Sequence, residues 1–387
     1  MIKYITLLLL LGIVSCNHQK SNKENDYSIE TILIESNHIE SCYDLSPKVK
    51  QQFQAIPLET NNECIITEIS QMLLHDNDIF ISDRKSQRIY HFDTSGKFLN
   101  FIGNLGNGPD EYSDLGAMEI IGNELYLYDK GRYHICVYGF DGEFRRKIND
   151  EVYYHSESML YLNNNLYSIT NNILSDIGPF NLIKRNLTTD AVEGHCKFEK
   201  EKSYSHQYWN LKRYFSKNTN YALFLYSNND IIYLINNDTI LPKYNITFSE
   251  RKVPNSEIKK GSANALYFAQ ENNYILGVNS INETDSLLFM SYSDRRLYDV
   301  VYDKYRKDCS VYNWLVFSHL GNLLVTNYYT NDNKLIMAQD AYMFRDAWER
   351  QYSQNNFNSK ENKNIMNKLY EVLSDDDNPV VFIFNFK

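Results

Sequence analysis

The sequence predicts an all-β fold, a six-bladed β-propeller, on three observations. A segment beginning at Asn77 recurs 46 residues later; short apolar runs broken by Asn, Asp and Gly continue to the C-terminus; and the chain from Phe53 onward holds about six units of about 50 residues. In the repeat, NDIFISDRKSQRIYHFDTSGKF returns as NELYLYDKGRYHICVYGFDGEF. Asn77 becomes Asn123, Ile79 becomes Leu125, Asp83 becomes Asp129, Phe92 becomes Tyr138 and Gly96 becomes Gly142. A fixed period of this size, built of strand-sized runs, is how a propeller blade reads in sequence. Seven blades are the alternative.

Taken in order, the chain opens MIKYITLLLLLGIVSC. One lysine, an apolar run of about ten residues and a small residue before Cys16 read as a secretory leader over residues 1–15, since a membrane span needs roughly twenty apolar residues. Ile13-Val14-Ser15-Cys16 resembles a lipobox, after which a bacterial lipoprotein is cleaved and its cysteine acylated; an ordinary cleaved leader is the alternative. On this reading residues 16–52 comprise the lipidated Cys16, a tether and a lead-in. The polar run NHQKSNKEND is suited to a flexible tether. Acyl chains on Cys16 would hold the protein on a membrane. Asn17 is not the aspartate associated with inner-membrane retention, which favours the outer membrane and leaves its face open.

Loss of Lys3 with the leader takes the formal charge from −10 to −11. That balance, with no concentrated Lys/Arg stripe, argues against nucleic acid as a partner. Besides Cys16 there are Cys42, Cys64, Cys136, Cys196 and Cys309, an odd set with neither CxxC nor Cys/His metal spacing. A Cys42–Cys64 disulfide is one option. Cys136 lies in an apolar run and reads as a small buried hydrophobe.

The propeller domain is assigned to residues 53–387. DIFIS and ELYLY are tight apolar runs, as expected of strands buried between neighbouring blades. RIYHFDTSGKF reads as a hairpin in which Gly96, and Gly142 in the second copy, supplies the positive φ of the turn. Asp83 and Asp129 end their strands where a carboxylate can bond the backbone two residues on. GNLGNGPDEY lacks the helix onset and Lys-Ser/Thr of a phosphate-cradling loop and reads as an inter-blade connection.

IPLETNNECIITEIS from Ile56, the blade with Asp83 and FDTSGKF, IGNLGNGPDEY and the second blade resemble the six-bladed propeller lipoproteins of gut-dwelling Gram-negative bacteria, relatives of NHL-type propellers. The tail DNPVVFIFNFK is similar to the way those proteins end. The resemblance covers residues 56–148 and the C-terminus. It implies a fold and a cell-envelope address, and no activity.

The later blades keep the rhythm in MLYLNNNLYSIT, YALFLYSNNDIIYLINN, LLFMSYSDRRLYDVVYD and LLVTNYY. Residues about 338–376 break it. Ile365, Met366, Leu369, Tyr370 and Leu373 recur at helical spacing behind Ser359 as N-cap, which predicts a helical insertion near the C-terminus. VVFIFNF then supplies an outer strand of the last blade or pairs with the IPLE segment, tying the ends of the ring.

In a propeller the loops joining blades share a face with those between second and third strands. That places Asp83, Arg84, Arg88, Asp129, Arg132 and His134 on one face as ligand-binding candidates. Glu111, Tyr112, His155, His206, Trp209, Tyr312 and Trp314 join them from the blade junctions, and solvated loops are the alternative. No catalytic constellation is present: no HExxH, no GxSxG, no EF-hand pattern. The sequence therefore favours a non-enzymatic binding or scaffold module for a glycan, peptide or membrane-protein partner, with no cofactor. The first alternative is a metal-dependent hydrolase like the gluconolactonase-type propellers, with Glu68, Glu111, Asp114 and Asn264 as candidate ligands for a divalent ion such as calcium. The second is a propeller lyase using His155 or His206.

Overall fold

The computed structural model describes residues 28–148, 154–199, 213–227, 229–236, 239–350, 357 and 359–387. The leader, Cys16, the NHQKSNKEND run, His206 and Trp209 lie outside the described residues. Three strands lead the chain: β1 (Glu30–Ile34), β2 (Ile39–Asp44) and β3 (Val49–Pro57). Three antiparallel four-stranded sheets follow. They are β4 (Gln71–His75) to β7 (Phe98–Phe101), β8 (Leu115–Ile121) to β11 (Phe144–Ile148), and β12 (Ser158–Leu162) to β15 (Val192–Lys197).

Next come β16 (Phe215–Lys217), β17 (Tyr221–Phe224), β18 (Ile231–Asn236) and β19 (Thr239–Phe248), then β20 (Val278–Glu283) to β23 (Asp308–Phe317) with the short β24 (Leu323–Leu324). The last group is β25 (Tyr328–Asn331), β26 (Lys334–Gln339) and β27 (Val380–Phe386), completed by β3. The protein is thus mostly β, with a propeller-like arrangement of sheets. Hydrogen bonding yields five sheets among the described residues, not the six or seven separate blades expected from length. The reason is local: one parallel pair, Lys217 with Asn331, joins β16 to β25 and merges two antiparallel groups into a nine-stranded sheet.

The repeat explains the first two sheets strand by strand. In β5 (Asp78–Asp83), Ile79, Phe80 and Ile81 are all fully buried, because a second strand is covered by neighbours on both faces. β9 (Glu124–Asp129) is its copy, whereas β11 at a sheet edge keeps Arg145 and Arg146 exposed. Asp83 accepts from Thr67 N–H at 2.8 Å, Thr67 Oγ1 at 2.7 Å and the N–H groups of Lys85 and Ser86. Forty-six positions on, Asp129 accepts from Ser113 and from the N–H groups of Asp114 and Gly131. Gly96 and Gly142 have φ of +89° and +85°.

The same joint closes the chain. Gly103 N–H donates to Gly142 O at 3.1 Å where the first sheet hands over to the second. Glu59 N–H donates to Gly96 O at 2.8 Å where β3 hands over to the first sheet. β3 therefore occupies, beside the first sheet, the place that β7 occupies beside the second. Its other edge pairs with β27 from Val380 opposite Pro57 to Phe386 opposite Val49, so the two ends of the chain form one sheet. Asn378 braces the seam, donating to Glu59 O and Cys64 O and accepting from Ile66 N–H.

The boundary at residue 53 does not separate a lead-in from the fold. β1 adds in parallel to the edge of β19, β2 adds in parallel to β23, and β3 begins before the boundary. Each covers a row of backbone groups that an edge strand otherwise leaves open. The helical insertion takes the form of α3 (Ala341–Arg350) and α4 (Lys360–Val372), with Ser359 capping α4 by accepting from Asn362 N–H. Phe344, Trp348, Met366 and Leu369 seat the pair against Phe382 of β27. Two further helices, α1 (Asn255–Ile258) and α2 (Ser262–Asn272), fall where the apolar spacing predicts none. Cys42 and Cys64 are not bonded to each other: all five described cysteines are free, Cys42 exposed on β2 and Cys64 buried beside Asn378. No helix among the described residues is long and apolar enough to cross a membrane.

Candidate functional site

The first strands β4, β8, β12, β16, β20 and β25 all contribute to the wall of one cavity of about 790 Å³. Residues entering these strands carry much of its charge: Glu68 before β4, Glu157 before β12, Arg213 before β16. Arg84 reaches it from the loop after β5, and Leu297, Asp299, Asn313 and Trp314 from the outer strands of the fifth group. Ser280, Asn282, Asn327 and Thr330 supply amides and hydroxyls, Tyr328 and Tyr329 supply rings, and Gln71 spends its amide on the Met118 backbone. A concave space with a few convergent polar groups is the ordinary form of a ligand site.

Two of its four acids, Glu119 and Glu157, are held by cations. Glu157 takes a 2.6 Å contact from His155 Nε2 and lies 3.7 Å from Lys130 Nζ. Burial pushes the Glu157 carboxyl up, but the His155 hydrogen bond and the Lys130 charge outweigh it and bring it down to about 2. Glu119 pairs with Lys217 at 3.4 Å. The cations at the entering strands are less well served. Arg213 sets its guanidinium 4.8 Å from the Tyr329 ring centre, and burial pulls its pKa down to about 10. Arg84 Nε is buried without a hydrogen-bond partner, while its backbone N–H is held by Ser70 Oγ at 3.1 Å.

Of the ligand candidates named from sequence, Arg84 and Trp314 line this cavity, and of the metal candidates Glu68 does. The others stand elsewhere. Asp83 and Asp129 are buried turn formers; burial raises the Asp83 carboxyl, and the bonds from Thr67 and Ser86 more than reverse it. Arg88 lies over Phe101 at 4.8 Å. Arg132 clamps the glycine-rich connection, donating to the carbonyls of Gly106, Gly108 and Glu111. Glu111 folds back onto Gly108 N–H at 2.7 Å, so close to Gly106 that a Cβ there would lie 1.9 Å from its Oε2. Tyr112 is buried and donates to Gln87 O. His155 serves Glu157, and Tyr312 packs on Tyr43 at 5.1 Å.

The proposed metal ligands are not brought together. Asp114 belongs to the Asp129 turn, and Asn264 sits exposed on α2 beside Glu257. A different trio, Asp129, His134 and Cys136, does converge, with one ligand atom from each within 4.8 Å of the others. The repeat explains it without an ion. Asp83 makes the same turn with Arg88 and Tyr90 at the positions of His134 and Cys136, and Asp129 is already engaged by four donors.

Arg213, Glu157 and Asn282 were not singled out in the sequence. The signal was available in part: a charged residue one to three places before an inner strand recurs at Glu68, Asp114, Glu157 and Arg213. The weak repeat after residue 148 hid its phase.

Residues 43–385 match the model of a family described as "Domain of unknown function (DUF4934)". Among solved structures, the chain is similar to a Bacteroides fragilis protein provisionally described as exported. The TM-score is 0.72 at 18% identity, covering 93% of this chain and 100% of that one. At that identity the likeness speaks for the fold. A member of the DUF4221 family from Bacteroides vulgatus has a TM-score of 0.49 at 10% identity, covering 88% of this chain and 99% of that one. No curated protein matches the chain.

Proposed function

The chain belongs to the DUF4934 family, whose description assigns no activity, and from its cavity we propose that it is a binding module of the cell envelope. Its ligand, a glycan or peptide segment, enters the central channel at the end marked by Arg84, Arg213 and Trp314. The observation that carries this reading is the wall itself: six inner strands converge on one 790 Å³ space furnished with amides, hydroxyls, aromatic rings and under-served cations. On this reading the nine-stranded sheet counts as two blades in a ring of six, because β16 and β25 each begin an antiparallel group and touch through one residue pair.

Export and a lipid anchor at Cys16, holding the domain on the outer membrane, complete the proposal. They are supported by the leader-like first residues and by the export description of the Bacteroides fragilis protein. The test is capture on glycan and peptide arrays with the native protein and a mouth-blocked variant, Glu68→Trp with Leu297→Trp. Both residues line the cavity, Glu68 is exposed and Leu297 is 43% exposed, so the fold tolerates bulk there. Capture abolished by the block supports the channel as the site. Capture that survives the block places binding on another surface.

A further inference from the structure

The channel mouth holds positive charge that the fold does not use. Arg213 makes no hydrogen bond and no ion pair among the described residues; beyond burial, only the phenols of Tyr328 and Tyr329 act on it. A guanidinium has five N–H donors, and leaving them without acceptors in a partly desolvated place is unfavourable. Packing does not explain it, since Tyr329 is already fixed by a 2.9 Å bond from Leu74 N–H to its hydroxyl. Arg84 repeats the pattern with its unpartnered Nε in the same wall.

Resting on the reading of the channel as a ligand site, we infer that its mouth binds the carboxylate of an acidic saccharide, with Arg213 as the principal anion contact and Arg84 as the second. A guanidinium fork matches a carboxylate in two parallel hydrogen bonds. A phosphate dianion suits the site less well, because Glu68 and Asp299 line the same cavity and oppose a second negative charge. The rest of the ligand meets the Asn327 amide and the Nδ2 of Asn282, which match ring hydroxyls, and Trp314 at 59% exposure offers a flat face to a sugar ring.

The experiment titrates the protein with galacturonate and its trimer, against galactose, inorganic phosphate and a tripeptide with a free carboxylate. The uronates should bind with a preference over all three comparators. Arg213→Gln should weaken them by about 10- to 100-fold, the range of a lost charge-assisted contact, and Arg84→Gln by a smaller factor. A second measurement needs no ligand: Arg213→Met should raise the melting temperature of the free protein, because it removes a half-buried cation with no hydrogen-bond or ion-pair partner among the described residues, while a methionine keeps the contact with the Tyr329 ring. Uronates that fail to bind, uronate binding indifferent to Arg213→Gln, preference for phosphate or the tripeptide, or a lower melting temperature in Arg213→Met would each overturn the inference. If array capture is lost in the mouth-blocked variant yet survives Arg213→Gln, the inference fails and the channel reading stands. If capture survives both, both fail.

Discussion

Replacing Gly96 by alanine tests whether the ring closes through β3. At φ +89° an L side chain is strained, at about 1 kcal/mol or more. The added Cβ would lie 2.1 Å from Pro57 O and 3.2 Å from Ile56 Cγ2. Pro57 is fixed in the β3–β27 ladder, so relief requires moving the seam and weakening the Glu59-to-Gly96 hydrogen bond, worth about 1 kcal/mol. With about 1 kcal/mol more for the displaced seam, these give a loss of about 3 kcal/mol. At about 2.1 cal/mol/K of unfolding entropy per residue, that lowers the melting temperature of a chain this long by roughly 4 °C. Gly142→Ala, 2.3 Å from Phe101 O at φ +85°, should cost about the same because it sits at the same joint one repeat later. Gly122→Ala, at φ +60° with nothing within 4 Å, is the control and should cost only about 1 kcal/mol. Differential scanning calorimetry on the three variants decides the matter. Gly96→Ala no worse than Gly122→Ala would refute the closure of the first sheet against β3.

Other consequences are open to measurement. Glu157→Gln should destabilise the protein near neutral pH by roughly 3 kcal/mol, at about 1.4 kcal/mol per pKa unit between the ordinary glutamate value and about 2. Because the folded-state value is depressed, that difference is fully present above about pH 4.3 and fades as pH falls toward 2; a gap between native and variant melts that stays constant down to pH 2 would contradict it. Asn378→Ala leaves the Ile66 N–H, Glu59 O and Cys64 O groups without their side-chain partner, and should cost about 2–4 kcal/mol in denaturant titration. A cost under about 0.5 kcal/mol, the range of an ordinary surface change, would remove it from the seam. Cys42, exposed, should react with a thiol reagent in the native protein, whereas Cys64, with burial pushing its thiol up to about 12, should react only on unfolding. Equal rates for the two would contradict the packing beside Asn378.

The fold was readable where local chemistry repeats. Asp83 with Asp129 and Gly96 with Gly142 announce the same turn twice, and β5 and β9 follow from their unbroken apolar runs. Ser359 and the apolar spacing behind it placed α4 for the same reason: a cap and a face are properties of one short segment. What stayed hidden depends on distant partners. β1 and β2 are short strands of mixed polarity whose state is decided by the open edges of β19 and β23. The site was harder still. Arg132 and Glu111 looked like ligand groups but are spent on the GNLGNGPDEY loop, because a long polar side chain beside a glycine-rich turn finds backbone partners first. Arg213 carries no local signal of a site, since the cavity wall it belongs to exists only once six strands surround it.

The most direct test of the channel as the binding site is arginine footprinting with phenylglyoxal, read by mass spectrometry, with and without the ligand that array capture identifies. Binding in the channel predicts that Arg213 and Arg84 are modified in the free protein and protected in the complex, while Arg145 and Arg350 on the outer surface are unchanged. Protection confined to outer-surface arginines, with Arg213 equally reactive in both states, would contradict it.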